Sequence, residues 1–126
     1  MAPRSRRMER LDELIRQEIA RLIAEELQDP RVGFVTVMDA RVSPDLRHAR
    51  VFVSVLGDEN DKREAVAALQ GAAGFLRGRL GSLLEMKYLP ELRFELDRSL
   101  ERAARIGEIL DRVREKERRL PEEDES

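Results

Sequence analysis

The sequence predicts an α+β domain in which a three-stranded sheet carries helices on one face. Three observations predict it. Apolar residues recur at helical spacing near the start, in the middle and toward the end of the chain. Three short runs between those segments alternate β-branched or aromatic residues with polar ones. Turn and breaker residues separate the runs. The implied order is helix, strand, strand, helix–kink–helix, strand, helix. At 126 residues there is room for one core, and no repeat or second domain appears.

The first helix is read over roughly Arg7 to Leu27, where Leu11, Ile15, Ile19, Leu22 and Leu27 recur with charge between them. Asp29-Pro30 closes it, because proline disfavours a helical residue before it and lacks a backbone donor. Phe34 to Val42 and Ala49 to Leu56 read as strands. In the second, Ala49, Val51, Val53 and Val55 alternate with Arg50, Phe52, Ser54 and Leu56. Ser43-Pro44-Asp45 supplies turn chemistry, so the pair forms a hairpin. Gly57-Asp58-Glu59-Asn60-Asp61 is a polar loop leading into a helix.

From Lys62 to about Glu85 the stripe Val66, Leu69, Ala73, Leu76, Leu80 and Leu83 steps by 3, 4, 3, 4 and 3, which predicts one long helix. Gly71, Gly74, Gly78 and Gly81 interrupt it, each costing about 1 kcal/mol relative to alanine. Such a density predicts a kink or a close backbone approach. Beyond Pro90, Leu92, Phe94 and Leu96 alternate with Arg93, Glu95 and Asp97 as a third strand. Ser99 reads as the N-cap of a last helix with Ile106, Ile109, Leu110 and Val113 on one face. Residues 1–119 form the domain, and 120–126 are expected to be a disordered acidic tail.

Composition excludes several classes. The longest apolar runs fall far short of the roughly 18 residues that span a membrane. No signal-peptide pattern opens the chain, so a cytoplasmic protein is expected. The absence of cysteine excludes disulfides, thiolate zinc sites and iron–sulfur clusters. A single histidine, His48, leaves little for a catalytic triad or a histidine metal site, and no metal or cofactor is expected. No P-loop, strand-linked GxGxxG, GxSxG or HExxH is present. The acids interleave with arginines as on solvated helix faces, so a hydrolase reading has no support.

The net charge of −2 hides an asymmetry. Arg4, Arg6, Arg7 and Arg10 face one early acid, Glu9, whereas Glu122, Glu123, Asp124 and Glu125 close the chain without a base; removing those four acids gives +2. Of the 24 bases only Lys62, Lys87 and Lys116 are lysine. Arginine's planar fork suits phosphate, although genome composition or a hot habitat produces the same bias. Gly71-Ala72-Ala73-Gly74 and Gly78-Arg79-Leu80-Gly81 both satisfy GxxG, the loop by which KH domains clamp a nucleic-acid backbone. Small residues that let a helix pack closely would give the same pattern.

Asp29-Pro30-Arg31-Val32-Gly33-Phe34-Val35-Thr36-Val37 resembles the DPRxG-xxTV segment of the ribosome-binding factor A family. The resemblance continues through Val42-Ser43-Pro44-Asp45-Leu46, Ala49 to Asp58, Ala72-Ala73-Gly74-Phe75-Leu76-Arg77 and Pro90-Glu91-Leu92-Arg93-Phe94. Asp97-Arg98-Ser99 and Arg105-Ile106 extend it, so matches run from about Arg7 to Leu110. It implies a single type II KH-like domain in which an Ala-x-Gly kink, Ala72-Ala73-Gly74, replaces the GxxG loop. It also implies a non-enzymatic assembly factor that binds the immature small (30S) ribosomal subunit and contacts 16S rRNA. Such a factor assists late maturation, including 16S rRNA processing, and supports growth in the cold. A monomer is expected.

Two departures stand out: Glu85-Met86-Lys87 keeps one base where the family is more basic, and Ala103 replaces a common glycine. The candidate RNA surface comprises Arg4, Arg6, Arg7, Arg10, Arg31, Arg77, Arg79 and Lys87. The competing reading is a protein-interaction adaptor that uses its sheet edge or last helix and does not touch RNA.

Overall fold

The structure, a computed structural model, describes residues 4–125 and the side chains of residues 4–118. Helix α1 (Arg6–Glu25) starts where the Ser5 hydroxyl accepts from the Met8 N–H at 3.2 Å. Its inward stripe is Asp12, Ile15, Ile19, Leu22 and Ile23. The helix stops at Glu25, before the Asp29-Pro30 signal. The intervening turn is closed by Asp29, whose carboxylate accepts from the Arg31 N–H at 2.9 Å, and by Gly33, whose φ of 57° suits glycine.

Strands β1 (Val35–Val42) and β2 (His48–Val55) pair antiparallel, with a bulge between Val37 and Asp39 that leaves Met38 unmatched. Strand β3 (Glu91–Leu96) pairs parallel to β2, giving the order β1-β2-β3. The alternation read from sequence holds: Ala49, Val51, Val53 and Val55 are buried, as are Leu92 and Phe94. Ile15, Ile19 and Leu22 of α1 join this face in one core with Leu69, Leu76 and Leu80. The parallel pair needs a crossover, which the two middle helices supply.

The long middle helix is two helices. Helix α2 (Glu59–Gly71) opens with a capping box in which the Asp58 and Asp61 carboxylates each accept from the other's backbone N–H, at 2.8 and 3.0 Å. Helix α3 (Ala73–Leu84) follows after one residue, Ala72, at φ −89° and ψ 0°. The kink therefore sits on Ala72, at the predicted place. Gly74 lies inside α3, and a Cβ there would meet nothing within 4 Å. The close approach belongs to Gly81, where a Cβ would lie 2.1 Å from Leu89 Cδ2.

Helix α4 (Ser99–Glu125) starts differently from the sequence reading. The Asp97 carboxylate accepts from the Ser99 N–H at 2.8 Å, so the acid, two residues earlier, does the capping assigned to Ser99. Ion pairs from Arg98 to Glu59 and from Lys62 to Glu101 tie the start of α4 to the start of α2. Ile106, Ile109, Leu110 and Val113 share the predicted face but are each about half exposed. The helix is bounded at Glu125, so its backbone enters the segment read as a disordered tail; the side chains of that segment lie outside the described residues.

Candidate nucleic-acid interface

Several basic residues meet at the end of the sheet where β1 turns into β2. The buried Asp12 carboxylate accepts from the Val42 N–H at 2.9 Å, which fixes the start of α1 there. Arg4 closes this arrangement with a forked contact to Asp12 and a bond to the Val42 carbonyl. Arg47 and His48 belong to the same end, because the Glu91 N–H donates to the Arg47 carbonyl at 2.8 Å. The Asp45 carboxyl is held below its usual range by the Ser43 hydroxyl and the Arg47 backbone N–H. Its charge is thus engaged in the turn.

The structure divides the eight cations expected from sequence. Arg6, Arg7 and Arg10 are exposed on the first turns of α1 and make no ion pair with another described residue. Arg4 belongs to that end but is an anchor, with its side chain 22% exposed and paired to Asp12. Arg77 donates through Nη2 and Nε to the Leu89 carbonyl at 2.8 and 3.2 Å, so it holds the loop before β3. Lys87 lies 5.5 Å from the centre of the Tyr88 ring. Arg31 and Arg79 are at the opposite end of α1. Arg31 forks onto Asp29, and Arg79 onto Glu26, where it lowers the Glu26 carboxyl.

Other residues join the basic surface that the sequence reading did not select. A furrow of about 1320 Å³ runs between α2 and the outer edge of β3, lined by Arg63, Val66, Ala67 and Gln70 on one side and Arg93 on the other. Arg63 and Arg93 make no ion pair with another described residue. Arg50, at the furrow's floor, is committed to Glu95 and lies 5.0 Å from the Phe52 ring centre. Gln70 spans the strand edge: its amide donates to the Leu92 carbonyl and accepts from the Phe94 N–H, both at 3.0 Å. A second hollow of about 800 Å³ is lined by Arg47, Arg77, Tyr88 and Leu89, and it shares His48 and Glu91 with the furrow. The two adjoin through these shared residues at the start of β3.

Among the described residues no three His, Cys, Asp or Glu side chains group to hold a metal, and no helix is long and apolar enough to cross a membrane. The charged side chains here suit phosphate oxygens, which arginine meets with paired N–H groups. A sequence signal for Arg63 and Arg93 existed in principle, since both lie on polar faces of correctly placed elements. What periodicity could not show is that α2 and β3 border the same furrow.

Comparison with known proteins places the chain in a family. The family model for ribosome-binding factor A matches residues 7–110. Ribosome-binding factor A of Halothermothrix orenii is 48% identical over 111 residues, covering 88% of this chain and 91% of its own length. The crystal structure of ribosome-binding factor A from Thermus thermophilus superposes with a TM-score of 0.66 at 29% identity, over 73% of this chain and 98% of that one. A homology model of the Thermus thermophilus factor, fitted into a cryo-electron microscopy map of a 30S complex, gives 0.59 at 30% identity, over 69% and 91%.

Proposed function

This chain belongs to the ribosome-binding factor A family, and from that premise we propose that it is a non-enzymatic assembly factor for the small ribosomal subunit. It binds the immature 30S particle in the cytoplasm as a monomer, contacts 16S rRNA and assists late maturation, including rRNA processing and growth in the cold. The observation that carries the RNA-binding reading is the concentration of cations at one end of the sheet and along β3. Arg6, Arg7, Arg10, Arg47, Arg63, Arg93 and Lys87 make no ion pair with another described residue, on a chain whose net charge is −2. Arg77 also keeps its charge uncompensated there, since it bonds a carbonyl. A protein of nearly neutral net charge reaches RNA through such local patches.

The KH-like framework supports the same reading: the furrow between α2 and the edge strand sets Arg63 and Arg93 beside the apolar groups of Val66 and Ala67. Gradient fractionation of lysates tests it. The protein is expected with free small subunits and absent from translating ribosomes, and equal abundance across polysomes contradicts the assignment. The adaptor reading has one observation in its favour, the half-exposed Ile106, Ile109, Leu110 and Val113 on α4. Salt separates the two, because counterion release makes RNA affinity fall steeply as salt rises.

A further inference from the structure

We propose that the hollow between Arg47, Arg77 and Tyr88 takes one unstacked RNA nucleotide, with its base on the Tyr88 ring and its phosphate on the two arginines. This rests on the RNA-binding reading and specifies the chemistry of one part of that surface. Tyr88 is 66% exposed in a chain with only five aromatic residues. An exposed ring ordinarily forgoes the burial that stabilises a core. Here it is presented from a fixed position. Immediately after it, Pro90 is fully buried, Arg77 grips the Leu89 carbonyl, and the Leu89 side chain packs on Gly81.

The surroundings select for an anion next to an aromatic plane. Arg47 lines the hollow, and His48 stands beside it. Lys87 lies over the Tyr88 ring, adding positive charge at the rim. Of the two acids present, Asp45 is engaged by Ser43 and the Arg47 N–H, and Glu91 lies 3.7 Å from the His48 ring. The hollow's volume of about 800 Å³ falls within the roughly 300–1,000 Å³ of sites that accept small ligands. A bare phosphate has no use for the ring, and a paired RNA helix is read by its backbone and shape. An unpaired base offers the π-face that an exposed tyrosine can stack on. A tyrosine side chain, with only two torsions to restrict, also loses little freedom when the base arrives.

The chain provides its own reporter, because Tyr88 is its single tyrosine and it has no tryptophan. The full chain is titrated with a single-stranded uridine hexanucleotide and, separately, with an abasic ribose-phosphate oligomer carrying the same number of phosphates. Tyrosine emission is followed with absorbance correction, and co-sedimentation with purified immature small subunits is measured in parallel. The base-bearing oligomer is expected to quench at least half the emission, and the abasic one to leave it unchanged. Tyr88→Phe should bind the oligonucleotide within about twofold of the native chain and Tyr88→Ala about tenfold more weakly, as the loss of stacking on one base implies. Arg47→Ala should weaken binding of both oligomers. Equal quenching by the two oligomers, or unchanged binding by Tyr88→Ala, overturns the pocket. Subunit binding without any quenching overturns the pocket and leaves the assembly-factor reading standing; failure to bind subunits at all overturns both.

Discussion

Replacing Asp12 by alanine should destabilise the fold by about 2–4 kcal/mol, a figure that follows from two interactions. The Asp12 side chain is 10% exposed and accepts from the Val42 N–H at 2.9 Å, while Arg4 grips it from the solvent side with a side chain 22% exposed. Removing the carboxylate orphans a buried backbone donor, which costs about 1–3 kcal/mol. It also removes the pair with Arg4, for which about 1 kcal/mol is appropriate because that partner is partly hydrated. A urea slope of about 1–3 kcal/mol per M turns the total into a midpoint shift of roughly 1–4 M. Asp12→Asn retains an acceptor for Val42 and should lose about half as much. Arg4→Ala should cost about 1 kcal/mol, and the double variant should reveal coupling between the two sites. A midpoint for Asp12→Ala within error of the native chain would refute the anchor. Arg4→Ala also tests function: as an anchor, it should leave subunit affinity nearly unchanged while the protein is folded.

Gly81→Ala should lose about 1–2 kcal/mol, because its Cβ forces Leu89 to move; Gly74→Ala, with open space around it, should gain up to about 1 kcal/mol, and thermal melts would rank the two. Acid should loosen the surface network. The Glu13 carboxyl is drawn down to about 2 by Arg16 and Gln17, and Glu26, Glu59, Glu95 and Glu101 are also held low by their basic partners. Carboxyls lowered by folding contribute stability above their unfolded values near 4.3 and lose it as pH falls through the folded ones. Urea midpoints should therefore decline progressively below about pH 5, and a flat profile down to about pH 2 would contradict these pairings. Charge reversal at Arg93 should weaken subunit binding more than Arg112→Glu on α4, compared by co-sedimentation at equal salt after circular dichroism confirms folding.

Much of the architecture was legible because burial and periodicity are the same fact seen twice. Ala49, Val51, Val53 and Val55 alternate in sequence and are buried together. The kink was legible too, since four glycines weaken a helix that the apolar stripe alone would continue. The role of the glycines was not: the bend is at Ala72, inside the expected Ala72-Ala73-Gly74 kink, but the glycine with a steric reason is Gly81, whose partner Leu89 comes from a following loop. Asp12 was overlooked as one charge among many, although the spacing 12, 15, 19, 22 puts it on the apolar stripe.

The candidate interface was harder to read. Cations far from acids in sequence can be paired in space, as Arg79 is with Glu26, 53 positions away. Arg31 is instead paired with its neighbour Asp29. The reverse holds for Arg47, Arg63 and Arg93. They gain interest because the β1–β2 turn, α2 and β3 carry them to two adjoining hollows, a relation no local pattern records.

The central claim is that this surface binds rRNA by its phosphates, and the salt dependence of binding to purified immature small subunits tests it most directly. For the native chain the logarithm of affinity should fall linearly and steeply with the logarithm of salt concentration. Arg47→Ala and Arg93→Ala should each reduce that slope by about one unit for every phosphate that the substitution releases. An affinity that does not change with salt, or a slope untouched by both substitutions, would contradict it.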